Sequence, residues 1–168
     1  MELTNSTVRP LNDLNFNHHL FTLMKKLILT MDINAPKEKV WKILWDDATY
    51  RQWTSAFSEG SYAVSDWKEG SKVLFLSPEG EGMFSKIDKL VPNELMHFKH
   101  LGTVKGGVEQ PESEESKQWS GAMENYSLKE KNGKTELTLS MDIAESHEQY
   151  FRDTFPKALE IVKNLAEG

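Results

Sequence analysis

"DINAPKEKVWKILWDDATYRQW", residues 32–53, decides the reading of the fold, because it changes periodicity twice within one short span. Ahead of it Leu27, Leu29, Met31 and Ile33 alternate with more polar neighbours, the pattern of a strand over residues 25–34 with one buried face. Pro36 ends that strand and suits the first turn of a helix, where its missing N–H costs nothing. Val40, Trp41, Leu44 and Trp45 then recur at helical spacing. The Asp46-Asp47 pair interrupts the helix, and Asp47 is placed to cap a second short one carrying Tyr50 and Trp53. Trp41 and Trp45 read as packing, whereas Trp53, beyond the break, is expected at the mouth of a cavity.

Downstream, turn chemistry at Glu69-Gly70, Pro78-Glu79-Gly80, Pro92-Asn93 and Asn132-Gly133 separates six strand-like segments near 61–66, 71–77, 82–91, 94–104, 118–130 and 134–143. The last is the cleanest, with Leu137, Leu139, Met141 and Ile143 on one face and Glu136, Thr138, Ser140 and Asp142 on the other. After it the period lengthens. Ser146 and Gln149 resemble a capping box, and Phe151, Phe155, Ala158, Leu159, Val162 and Leu165 form the apolar stripe of one long helix. Pro156 is expected to kink or divide that helix. The order strand, two short helices, antiparallel meander, long helix specifies an α+β arrangement in which the sheet wraps the last helix.

A chain of 168 residues suits a single core, and residues 24–168 carry all of this patterning, with residues 1–23 a poorly ordered extension. No apolar run reaches the roughly 18 residues of a membrane span. With no cysteine the chain has neither a disulfide framework nor a thiolate metal site, and a cytoplasmic location is the expectation. The net charge of -6, with no basic cluster beyond Lys25-Lys26, argues against a nucleic-acid partner.

From about Met24 onward the sequence resembles the SRPBCC superfamily of START-like, helix-grip proteins, and within it the family related to the activator of the ninety-kilodalton heat-shock chaperone's ATPase. The resemblance rests on "INAPKEKVWKIL" (33–44), Tyr50 and Trp53, "WKEGSKVLF" (67–75), "GKTELTLSMDI" (133–143) and "FPKALEIVKNL" (155–165), in that order. It implies a seven-stranded antiparallel sheet gripping the C-terminal helix, with a cavity between them that in many relatives accepts an apolar small molecule. It implies no single activity, since function belongs to the site rather than the fold.

Chemistry-bearing motifs are sparse. Glu94 and His97 have E-x-x-H spacing, but in a strand residues three apart face opposite ways, and the same holds for His97 and His100; no metal site is expected. There is no G-x-S-x-G, phosphate loop or H-E-x-x-H, and no cofactor is implied. The acidic segment 108–118, "VEQPESEESKQ", reads as a solvated loop, with a lid over a ligand as the functional alternative. The set expected to line the concave face is Trp53, Phe57, Phe75, Met83, Phe98, Trp119, Met123, Phe151 and Phe155, with His100 as a polar handle, since ligand pockets are mostly apolar with a few polar groups. Binding of a small apolar or amphipathic molecule is the leading functional expectation. A chaperone-activating contact and a lyase, cyclase or hydrolase using cavity residues are the alternatives; two ionisable groups converging in the cavity would favour the enzyme.

Overall fold

The computed structural model describes residues 23–168, so the expected extension lies, but for Leu23, outside the described residues. Strand β1 (Met24–Ile33) leads through Pro36 into helices α1 (Lys37–Trp45) and α2 (Asp47–Thr54). Strands β2 (Tyr62–Val64), β3 (Lys72–Leu76), β4 (Gly82–Val91), β5 (Leu95–Lys105) and β6 (Val108–Glu109) follow, then helix α3 (Glu114–Trp119). Strands β7 (Met123–Lys131) and β8 (Lys134–Ala144), a turn of 3₁₀ helix and the long helix α4 (Glu148–Glu167) complete the chain. The sheet is antiparallel throughout, in the order β1-β8-β7-β5-β4-β3-β2, with the two-residue β6 appended to β5. This is the helix-grip arrangement expected, with a short eighth strand added.

Alternation builds the core. Leu27, Leu29 and Met31 of β1 pair with Met141, Leu139 and Leu137 of β8, and these face α4 together with Ile33 and Ile143. From the helix, Phe155, Ala158, Leu159, Val162 and Ala166 are buried against them. Burying each large side chain of this kind contributes about 1.5–3 kcal/mol, so a few such rows suffice to hold sheet and helix together. At the strand-to-helix junction the Thr135 hydroxyl, 1% exposed, donates to the Ala35 carbonyl at 2.7 Å and fixes where the chain leaves the sheet.

Local expectations fail at four places. Pro156 does not divide α4, which runs through it as one helix; the proline sits on the exposed side, where water can solvate the carbonyl it leaves without a donor. No capping box opens α4: His147 precedes it without a side-chain cap, and Gln149 donates to Asp153 instead. Asp46, not Asp47, stands before α2, and Asp47 binds Arg51 one turn on. Residues 114–119 are helical, started by Ser113 and Ser116, whose side chains each bond the other's backbone N–H. Serine at the fourth position of that box, where Glu or Gln is usual, hid the signal within an acidic stretch. Among the described residues no helix is long and apolar enough to cross a membrane.

Candidate functional site

The concave face owes its arrangement to an irregularity in β5. Ser85 pairs with His100 but Phe84 with Gly102, so Leu101 has no partner in β4. A bulge of this kind re-aims side chains. Here it lets His100 and Thr103, opposite Ser85 and Met83, face the same side although they are three residues apart. Next to them Phe98 and Met141 flank Glu124 in register, so β7 directs Glu124, Tyr126 and Leu128 inward.

These strands bring four polar side chains into one line. Ser85 Oγ lies 2.6 Å from His100 Nδ1, His100 Nε2 lies 3.4 Å from Glu124 Oε1, and the Tyr126 hydroxyl donates to Glu124 Oε2 at 2.7 Å. With the imidazole proton on Nε2, both His100 and Tyr126 donate to the carboxylate while the Ser85 hydroxyl donates to Nδ1, so every donor has an acceptor. Ser85 is fully buried, His100 is 7% exposed, the Glu124 side chain 18% and Tyr126 1%, so the line approaches solvent at Glu124 and is buried at both ends. Burial pushes the Tyr126 phenol well above its ordinary range, and the neighbouring Glu124 charge adds to the shift; Tyr50 is raised by the same two causes in the same order.

Aromatic rings enclose this line. Phe75 stands 6.0 Å from His100 and 5.1 Å from Phe98 by ring centroid, and Trp45 packs edge-on against Phe98 and Tyr126 at 5.3 and 5.0 Å. Met83 is the register partner of Phe75. Phe57, Phe151 and Phe155 form a second group where α2 ends and α4 begins, with Phe57 and Phe151 half-buried.

The remaining expected site residues lie elsewhere. Trp53 is interior, 2% exposed, and its indole N–H already donates to the Leu44 carbonyl at 3.0 Å, so it does not stand at a mouth. Met123 opposes Lys99 on the outer face of the sheet. Trp119 belongs to α3 rather than to a strand, because Gly121, at φ +92°, turns the chain before β7 begins. It lines an outer cleft of about 230 Å³ with Met24, Gly121 and Asp142 among others. A second cleft, of about 260 Å³, opens between α1, α2 and the β2 region, walled by Trp45, Asp47, Tyr50, Ala63, Val64, Ser65 and Trp67. No residue of α4 lines either cleft, so neither is the chamber expected between sheet and last helix.

Ser85, Glu124 and Tyr126 were absent from the expected set. The signal that could have found them is strand parity: Tyr126 and Leu128 mark an inward row on β7, and Glu124 is its next member. Chemically, the line resembles serine, histidine and carboxylate in sequence of contact. It is not a nucleophilic triad, because the serine is the buried end and no acyl group can reach its oxygen. What comes nearest to solvent is the middle of the line, Glu124 with His100 beside it, an acid and a base beside aromatic walls.

A model of the family described as "Activator of Hsp90 ATPase homolog 1-like protein" matches residues 34–167. None of the curated proteins matches the chain. Among solved structures, the Aha1 dimer from Colwellia psychrerythraea is similar with a TM-score of 0.65 at 18% identity, over 85% of this chain and 96% of that one. Protein CV1439 from Chromobacterium violaceum gives 0.61 at 16%, over 86% and 99%, and ChR145 from Cytophaga hutchinsonii 0.60 at 22%, over 83% and 92%. At such identities these likenesses concern the fold.

Proposed function

Since the chain belongs to the Activator of Hsp90 ATPase homolog 1-like family, in which a curved sheet holds the C-terminal helix, we propose that it binds a small amphipathic molecule on the concave face. The ligand's apolar part lies along Phe75, Met83 and the Phe57–Phe151–Phe155 group, and its polar end meets His100 and Glu124. One observation carries this reading: a nearly buried histidine and a carboxylate whose side chain is 18% exposed, 3.4 Å apart, stand at the border of an aromatic wall. Such a border of few polar groups against apolar walls is the usual make-up of a small-molecule site.

Thermal unfolding with graded alkyl carboxylates, alkyl alcohols and aromatic alcohols tests it. A binder of the native state alone raises stability with the logarithm of its concentration, reaching about 2.7 kcal/mol at a hundredfold excess over Kd. His100→Ala and Phe75→Ala are expected to reduce that shift for the same compound. A flat response across the series, in a protein whose amide resonances also stay fixed, removes the proposal.

The convergence of His100 and Glu124 also favours a second reading, in which the bound molecule is turned over by general acid–base chemistry in a lyase, cyclase or hydrolase reaction. Slow conversion of a bound compound, abolished in Glu124→Gln with binding retained, distinguishes catalysis from carriage.

A further inference from the structure

The cleft between α1, α2 and β2 opens where the aromatic part of the core reaches the surface. Trp45 and Trp67 stand 5.8 Å apart with their planes tilted by 39°, and Tyr50 completes an aromatic wall on the same cleft. The charged side chain among the lining residues is Asp47; none of them is basic. Both Asp47 oxygens accept from Arg51 Nε at 3.0 Å, and Arg51 lies over the Tyr62 ring at 5.1 Å; the Asp47 side chain is 66% exposed, so its carboxylate keeps lone pairs open towards the cleft.

Backbone conformation adds a second observation. Trp67 has φ +56°, in the left-handed region. The other non-glycine residues there among the described residues, Asn93 and Asn132, occupy tight turns between strands, where asparagine is ordinary. A tryptophan is not, and such conformations persist where the surroundings hold them, often at ligand clamps. Here the Trp67 N–H donates to Ser65 Oγ at 3.0 Å while the Ser65 hydroxyl donates to the Lys72 carbonyl at 2.8 Å, which fixes the turn and with it the ring beside Trp45.

We propose that this cleft binds an organic cation of the methylated-ammonium class, its methyl groups against Trp45, Tyr50 and Trp67 and its charge towards Asp47. Aromatic faces attract a cation through their quadrupoles, most strongly for tryptophan, and the carboxylate adds charge complementarity. The volume of about 260 Å³ accommodates a trimethylammonium head with a short substituent. The site is separate from the concave face, and its ligand need not be the molecule bound there.

Nitrogen-labelled protein titrated with tetramethylammonium, choline and dimethylbutanol, the neutral isostere of choline, provides the test, read at the tryptophan indole N–H resonances. Both cations are expected to move the Trp45 and Trp67 signals saturably, with the neutral isostere at least about threefold weaker. Trp67→Leu and Asp47→Asn, each checked for native unfolding behaviour, are expected to weaken choline binding by a similar factor or more. Absence of saturable shifts with both cations, equal affinity for the isostere, or undiminished binding in Trp67→Leu would overturn the assignment.

Discussion

His100 meets Ser85 through Nδ1, at 2.6 Å, on strands whose register is offset by the unpaired Leu101, so the imidazole is anchored from its buried side and offers Nε2 towards Glu124. The orientation of the accessible end therefore depends on a contact that no ligand can reach.

Ser85→Ala tests that dependence. The change deletes one hydroxyl at a fully buried position and leaves Nδ1 of a nearly buried histidine without its partner. Leaving a buried polar atom unsatisfied costs about 1–3 kcal/mol, which urea unfolding resolves. The imidazole nitrogen resonances give the second readout: the Nδ1 signal is expected to move in Ser85→Ala as its hydrogen bond is lost, and an unchanged signal would mean that Glu124 alone orients the ring.

Alkaline pH should act through two phenols. Burial, followed by the Glu124 charge, holds Tyr50 and Tyr126 above their ordinary value of 10. Below pH 10 both are protonated whether the chain is folded or not, and the contribution is constant. Above it the unfolded chain releases these protons while the native protein keeps them, so stability falls as pH rises, by up to about 1.4 kcal/mol per pH unit for each phenol. Glu124→Gln removes the second cause and narrows that window from its upper end. Unfolding midpoints followed with phenolate absorbance across the alkaline range check both the slope and its dependence on Glu124.

Strand alternation made most of the fold legible. β4 spans the expected residues 82–91, and the inward row of β8 is the expected Leu137, Leu139, Met141 and Ile143. What parity cannot register is a bulge, and Leu101 is where the meander departs from simple alternation. A second loss of phase lies in extending β7 back to residue 118: Trp119 and Met123 then share a face with Asn125 and Ser127, which leaves the parity ambiguous, whereas the inward row starts at Glu124. An acidic residue in a strand reads as solvent-facing until the His100 and Tyr126 partners that satisfy it are seen, and those partners are distant in sequence or on the opposite parity to the one assumed.

Acid should loosen the ends of α4. Glu148 is held below its ordinary value of 4.5 by Lys25 of β1 and then by Arg152, and Glu167 is lowered by the Asn34 backbone N–H and then by Lys163. A lowered carboxyl favours the folded state above its unfolded value, and that contribution disappears as pH falls through the lower native one. Both groups lie at the surface, so the expected effect is local: faster hydrogen exchange at the first and last turns of α4 as pH drops below about 4.5, after correction for the intrinsic rate. Lys25→Ala should bring the N-terminal part of that change to neutral pH, while leaving exchange near Glu167 as it was.

Gly102 and Phe84 provide the most direct test of the bulge. They are register partners, and a Cβ added at Gly102 would lie 2.5 Å from Cε1 and 2.7 Å from Cζ of the Phe84 ring, too close unless the ring moves. Gly102 does not occupy a left-handed conformation, so the cost of Gly102→Ala comes from overpacking rather than from its backbone. Overpacking of this kind costs about 1–3 kcal/mol. A double-mutant cycle with Phe84→Leu separates the two sources, because residues in contact couple by about 0.5–3 kcal/mol and independent ones do not. If the ring is the obstacle, alanine at position 102 is tolerated far better with leucine at 84. Equal cost in both backgrounds would instead locate the strain in the bulged backbone that aligns Ser85 with His100.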